Sequence, residues 1–140
     1  MIVSFTYNGA TYSNWDISKP EIQQQFKAKG INLIPIVQQE LQKQLLNLEK
    51  QRINKVCDQY GYNGLADVQF YANQTTPDPE AQAILTFYSN ANGNGYDDLI
   101  WNWITNTLPT YKTLKKLLSL DMKAVEEQIY QQAITNNPLP

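Results

Sequence analysis

The stretch Pro35–Tyr60 reads PIVQQELQKQLLNLEKQRINKVCDQY, and its reading decides the fold. Val37, Leu41, Leu45, Leu48, Ile53, Val56 and Tyr60 recur at helical spacing, while Gln38, Gln39, Gln42, Lys43, Lys50, Gln51 and Lys55 fall outside that stripe. The pattern predicts one long amphipathic helix over 35–60 with a narrow apolar face. Such a face either packs a domain core or forms a seam between subunits. The helix is longer than a typical globular one, which keeps the seam as a second reading.

Towards the N-terminus, Ile2–Tyr7 is rich in β-branched and aromatic residues, Asn8-Gly9 is a two-residue hairpin signal, and Ala10–Trp15 returns as a second strand. A lone hairpin is marginal in water, so it must pack on helices or add to another chain's sheet. Ser18 is expected to cap a short helix with Pro20 and Glu21 in its first turn and Gly30 as its stop. Towards the C-terminus, Leu65–Ala72 and Glu80–Ser89 read as helices. The second has Pro77 and Pro79 at its start. Asp97 and Asp98 suit the beginning of a helix that passes Trp103 and ends at Pro109. Leu114, Leu117 and Leu118 mark a further helix, and Asp121 caps a last one bearing Met122, Val125, Ile129 and Ala133. The expected fold is mostly α with a short N-terminal β-hairpin: a small helical domain with one long amphipathic helix. It spans 1–140 as a single domain, with the hairpin at 1–16, a short helix at 19–30, the long helix at 35–60 and a helical C-terminal part at 64–135.

Charge narrows the function. The net charge is −2 and only 17% of residues are charged, so no overall field attracts nucleic acid or an acidic membrane. Between Val56 and Tyr111 there is no lysine or arginine, yet ten of the 16 aromatic residues lie there. That segment offers no cation to a phosphate. Lys112, Lys115 and Lys116 read as a solvated helix face rather than a nucleic-acid reader, which would carry arginine forks. Met1–Phe5 lacks the basic start and apolar run of a secretory signal, and no apolar run approaches a membrane span. The expected starting location is therefore the cytoplasm of the producing cell.

The chain has no histidine, which removes the commonest general base and the usual zinc ligands. No catalytic residue, metal or cofactor is expected. Asn90-x-Asn92-x-Asn94-Gly95 has the spacing of half a calcium loop, but its twelfth position is Trp101 rather than a bidentate glutamate, so it reads as an Asn/Gly turn. Asp97 or Asp98 with Glu80 has the composition of a glycosidase pair, and the plainer reading is solvated charge at a helix start. Cys57 sits at helical spacing among apolar residues and reads as a small buried hydrophobe.

Taken as strings, YGYNGLADVQFYA at Tyr60–Ala72, PEAQAILTFY at Pro79–Tyr88 and LIWNW at Leu99–Trp103 resemble the C-terminal part of a group of small bacteriophage proteins that are tail-associated or assist tail-fibre assembly. The resemblance covers roughly residues 52–110 and departs at Phe87-Tyr88-Ser89, where the group has Trp-Arg-Asp and this chain continues into an Asn/Gly insertion. It implies a virion-associated structural or assembly protein of the tail, in the fibre or baseplate region. Its partners would be other tail proteins and further copies of itself, with neither nucleic acid nor membrane. The alternatives are a phage-encoded inhibitor of a host protein and a carbohydrate-binding accessory protein. The expected protein-contact residues are Trp15, Val37, Leu41, Leu45, Leu48, Tyr96, Trp101 and Trp103.

Overall fold

The computed structural model describes residues Met1–Pro140. Two strands, β1 (Ile2–Tyr7) and β2 (Ala10–Asp16), pair antiparallel and lead into α1 (Pro20–Ala28) and α2 (Leu33–Gln59). Five shorter helices follow: α3 (Leu65–Ala72), α4 (Pro79–Tyr88), α5 (Tyr96–Asn102), α6 (Leu114–Leu118) and α7 (Met122–Asn136). Between α5 and α6 the chain makes a π-turn over Trp103–Thr107 and a 3-10 turn over Leu108–Thr110. The architecture is mostly helical with a short N-terminal hairpin, as the hydrophobic periodicity predicts.

The hairpin turn follows its chemistry. Asn8 and Gly9 both have positive φ, 49° and 78°, as a two-residue turn matching the twist of the strands requires. β2 then contains a feature that the alternation of residues does not announce. Phe5 pairs with Tyr12 and Val3 with Trp15, so the register slips by one residue around Ser13 and Asn14. Asn14 adopts a φ of 59° and its N–H donates to Ser4 Oγ at 2.9 Å. Without this bulge Tyr12 and Trp15 would point to opposite faces; with it both join Phe5 on the inner face. The rings of Phe5, Tyr12 and Trp15 all lie 5.3–5.5 Å from that of Phe26 on α1. Ser18 is not the α1 cap. Lys19 holds that position without a side-chain bond, while Ser18 Oγ and N–H both donate to Asp16 Oδ1, at 2.6 and 3.1 Å.

α2 starts two residues earlier than expected, because Asn32 accepts from the Ile34 N–H at 3.1 Å and Pro35 is tolerated in the first turn. It ends at Gln59, two residues before Gly61, whose φ of 83° lets the Tyr62 N–H reach back to the Cys57 carbonyl at 2.9 Å. Its buried positions run Leu33, Val37, Leu41, Leu45, Glu49, Ile53 and Cys57 in steps of four, with Val56 buried beside the last. Each such step turns the stripe by about 40°, so it winds around the helix instead of tracking one line. A subunit seam needs an average step of 3.5. The helix instead packs against β1, α3, α5, α6 and α7 of its own chain. The seam reading is therefore corrected: Val37, Leu41 and Leu45 are buried in the chain's own core. Cys57 is buried with them.

One cluster of buried side chains runs from Val3 to Ala133 and includes Phe26, Leu41, Phe87, Tyr96, Ile100 and Leu117. α4 is capped by Asp78 and α7 by Asp121, each accepting from the first free N–H groups of its helix. At the start of α5, Gly95 lies against the preceding strand of backbone. A Cβ there would come within 2.7 Å of the Tyr88 carbonyl and 2.8 Å of Ser89 Cα. These obstacles are main chain and cannot rotate away. Gly95→Ala is expected to cost about 1–2 kcal/mol in chemical denaturation; an unchanged midpoint would mean that the loop gives way freely.

Candidate functional site

The inward side of α2 carries Glu49 and Arg52, three residues apart and thus on neighbouring positions of one face. Around them gather Tyr88 at the end of α4, Tyr96 and Asp97 at the start of α5, and Glu126, Glu127 and Tyr130 on α7. Arg52 grips Glu126 with two bonds, Nε to Oε2 at 3.1 Å and Nη2 to Oε1 at 2.7 Å, and also donates to Glu127. Its guanidinium lies 4.0 Å from the centre of the Tyr130 ring. The Tyr96 hydroxyl, fully buried, donates to Glu126 Oε2 at 2.7 Å. Phe87 stacks on Tyr96 at 5.7 Å, and Tyr130 meets both rings edge-on.

Electrostatics divides this network in two. The Glu126 carboxylate accepts three bonds: two hold the Arg52 guanidinium charged, and burial first, then the third bond, pushes the Tyr96 phenol well up. Glu49 is in the opposite situation. It is 8% exposed, and its Oε2 has no hydrogen-bond partner. Burial first, and then the carboxylate of Asp97, push its carboxyl up to about 8. Two ionised carboxylates cannot share such a site, so at neutral pH Glu49 holds a proton. Tyr88, which faces the same pair, is pushed up by burial and by Asp97 and Glu49. The arrangement stores one proton among packed helices and holds α2, α4, α5 and α7 together.

The residues expected to make protein contacts separate accordingly. Tyr96 is fully buried and belongs to the network, so its surface role is corrected. Trp15 is half-buried against Phe26, and Trp103 is half-buried with its ring 6.5 Å from Tyr111. Leu48 lies one position beside the stripe, half-buried, at the edge of a cleft of about 510 Å³ between α2 and the start of α7. Trp101 is 44% exposed near the end of α5, while Ile100 beside it is fully buried. The Asn90–Gly95 loop does not stand free. Asp98 accepts from Ser89 Oγ and from the Asn90 and Gly95 N–H groups at 2.9–3.0 Å, and Asn94 accepts from Asn136 and Asn137 at the end of α7. Asn90 Oδ1 accepts from the Asn92 N–H at 2.9 Å, in the manner of an Asn/Gly turn. The acids that could form a glycosidase pair are parted: Asp98 closes the loop, Asp97 faces Glu49, and Glu80 lies beside Tyr62.

No family model, curated protein or solved structure matches the chain. On the surface, Phe70 is 61% exposed, Tyr71 44%, and Ile2, at the start of the hairpin, 63%. The sheet has two strands only, so the outer edge of each is unpaired with any other strand. No helix is long and apolar enough to cross a membrane. Sequence reasoning missed Glu49, Arg52 and Glu126. A signal for Glu49 existed in the four-residue series Leu41, Leu45, Ile53 and Cys57, which passes through it.

Proposed function

We propose that the protein is a non-catalytic component of a bacteriophage tail, in the fibre or baseplate region, that works by binding other tail proteins. The observation that carries this reading is the set of large aromatic side chains held in water by two short helices: Phe70 and Tyr71 on α3 and Trp101 on α5. Aromatic residues of this kind are the usual anchors of protein interfaces, and exposing them is costly unless a partner covers them. The unpaired edges of the hairpin add a second surface suited to contact. The resemblance of residues 52–110 to small tail-associated proteins supplies the setting. In that setting the buried Arg52–Glu126 network is scaffolding for the contact surface. The test is mass spectrometry of purified particles together with affinity purification of the tagged chain from infected cells. The expected result is the polypeptide in the particle and a fibre or baseplate protein in the eluate. Absence from particles, with a host protein captured instead, would overturn the tail assignment in favour of a host-directed inhibitor.

A further inference from the structure

The α3–α4 face joins exposed aromatic rings to carboxylates that take part in no ion pair. Phe70 and Tyr71 meet edge to face at 5.3 Å, and the Tyr71 ring lies 5.9 Å from that of Tyr62. The Tyr62 hydroxyl reaches Asp78 Oδ2 at 3.3 Å, and the Asp78 N–H donates to the Tyr71 carbonyl at 3.1 Å, so rings and acid form one continuous patch. Glu80 approaches the same hydroxyl; burial and these two acids push the Tyr62 phenol up to about 12. Asp67 lies one turn before Tyr71 on α3. The ion pairs of the molecule join Met1 to Asp16 and Arg52 to Glu126 and Glu127, and none involves this face. From Val56 to Tyr111 the chain has six carboxylates, Asp58, Asp67, Asp78, Glu80, Asp97 and Asp98, and no base.

We propose that this face binds an arginine-bearing segment of the partner protein, a refinement that rests on the protein-binding reading above. A guanidinium stacks on exposed aromatic faces and pairs with carboxylates, so a single arginine would use both halves of the patch. A partner presenting acidic groups would be repelled, and a purely apolar one would strip water from Asp78 and Glu80 without replacing it. The carboxylate-rich surroundings would also draw a basic segment in, and salt would weaken the encounter.

Titration of the ¹⁵N-labelled protein with a short blocked peptide carrying two arginines, followed by NMR, tests this directly, with the citrulline version of the peptide as the neutral control. The expected result is saturable shifts of the Tyr62, Phe70, Tyr71 and Glu80 amides. Affinity should fall about threefold or more in Phe70→Ala and in Glu80→Gln, and similarly with citrulline. Both side chains are exposed, so both variants should keep the parent melting temperature, which is measured alongside. No saturable shift, binding that survives both substitutions, or shifts centred on Trp101 would overturn the proposal. Shifts of the same amides on raising protein concentration without peptide would assign the face to a second copy and overturn it equally. A chain found in particles whose α3–α4 face ignores the arginine peptide would sink this inference and leave the tail reading standing.

Discussion

Arg52→Ala is expected to destabilise the protein by about 3 kcal/mol, the lower end of what breaking a buried ion pair costs, because one edge of the guanidinium reaches water. For a chain of this length that lowers the melting temperature by roughly 10 °C. The substitution removes two hydrogen bonds from Glu126 and the cation over the Tyr130 ring, and it leaves a carboxylate 5% exposed with only the Tyr96 hydroxyl. The cost lies mainly in the abandoned charge rather than in the worth of the pair. Adding Glu126→Gln to Arg52→Ala should therefore recover part of the loss. Arg52→Lys keeps the charge but not the two-pronged grip, and should fall between the parent and the alanine variant. Thermal melts of these variants check the prediction, and an Arg52→Ala protein melting within about 2 °C of the parent would remove the network from any account of stability.

A second large effect should be visible only as a function of pH. The Glu49 carboxyl sits near 8 in the folded protein, pushed up by burial and then by Asp97, against an ordinary value of 4.5. Between those two values the folded chain holds a proton that the unfolded chain has released. Stability from this group is thus fully present below about pH 4.5 and is lost as pH rises through about 8. After allowance for the solvent that reaches part of the site, the loss across that window should be roughly 3 kcal/mol. Glu49→Gln mimics the protonated side chain at every pH and can donate to Asp97. It should match the parent near pH 4.5 and exceed it by most of that amount at pH 9. Tyr88, Tyr96, Asp97 and Arg52 face the same position and remain in both proteins, so the difference between them isolates Glu49. Parallel denaturation curves with a constant offset from pH 4.5 to 9 would show that Glu49 does not titrate in this way.

Glu49 and Arg52 both act through partners that lie far along the chain, Asp97 and Glu126. In the long helix the eye follows apolar residues, so Leu48 was the natural member of the stripe. The backbone instead follows fours, and it brings Glu49 inside while leaving Leu48 at the edge of a cleft. Nothing within four residues of Glu49 indicates that Asp97 will come to face it. Likewise the bulge at Asn14, which turns Tyr12 and Trp15 to one side, is chosen by the fit of both rings around Phe26 on the next helix. Tyr96 looked like a surface anchor next to Trp101, yet Glu126, 30 residues later, gives its hydroxyl a partner in the interior.

What the sequence determined by itself is local: the Asn8-Gly9 turn, the proline and aspartate starts of α4 and α7, the glycine stop of α2 and the apolar rhythm of that helix. The absence of any base from Val56 to Tyr111 belongs with these, since it is legible without coordinates. Such signals act through backbone groups one to four residues away, and no later event alters them. Tertiary structure decided which aromatics remain in water, that the stripe of α2 packs its own domain, and which acids are paired. Arg52 and Glu126 are 74 residues apart, and only the packing of α2 on α7 brings a cation to that carboxylate. Burial and charge pairing depend on what lies opposite in space, and for this chain that is set by how β1, α3, α5, α6 and α7 pack on α2.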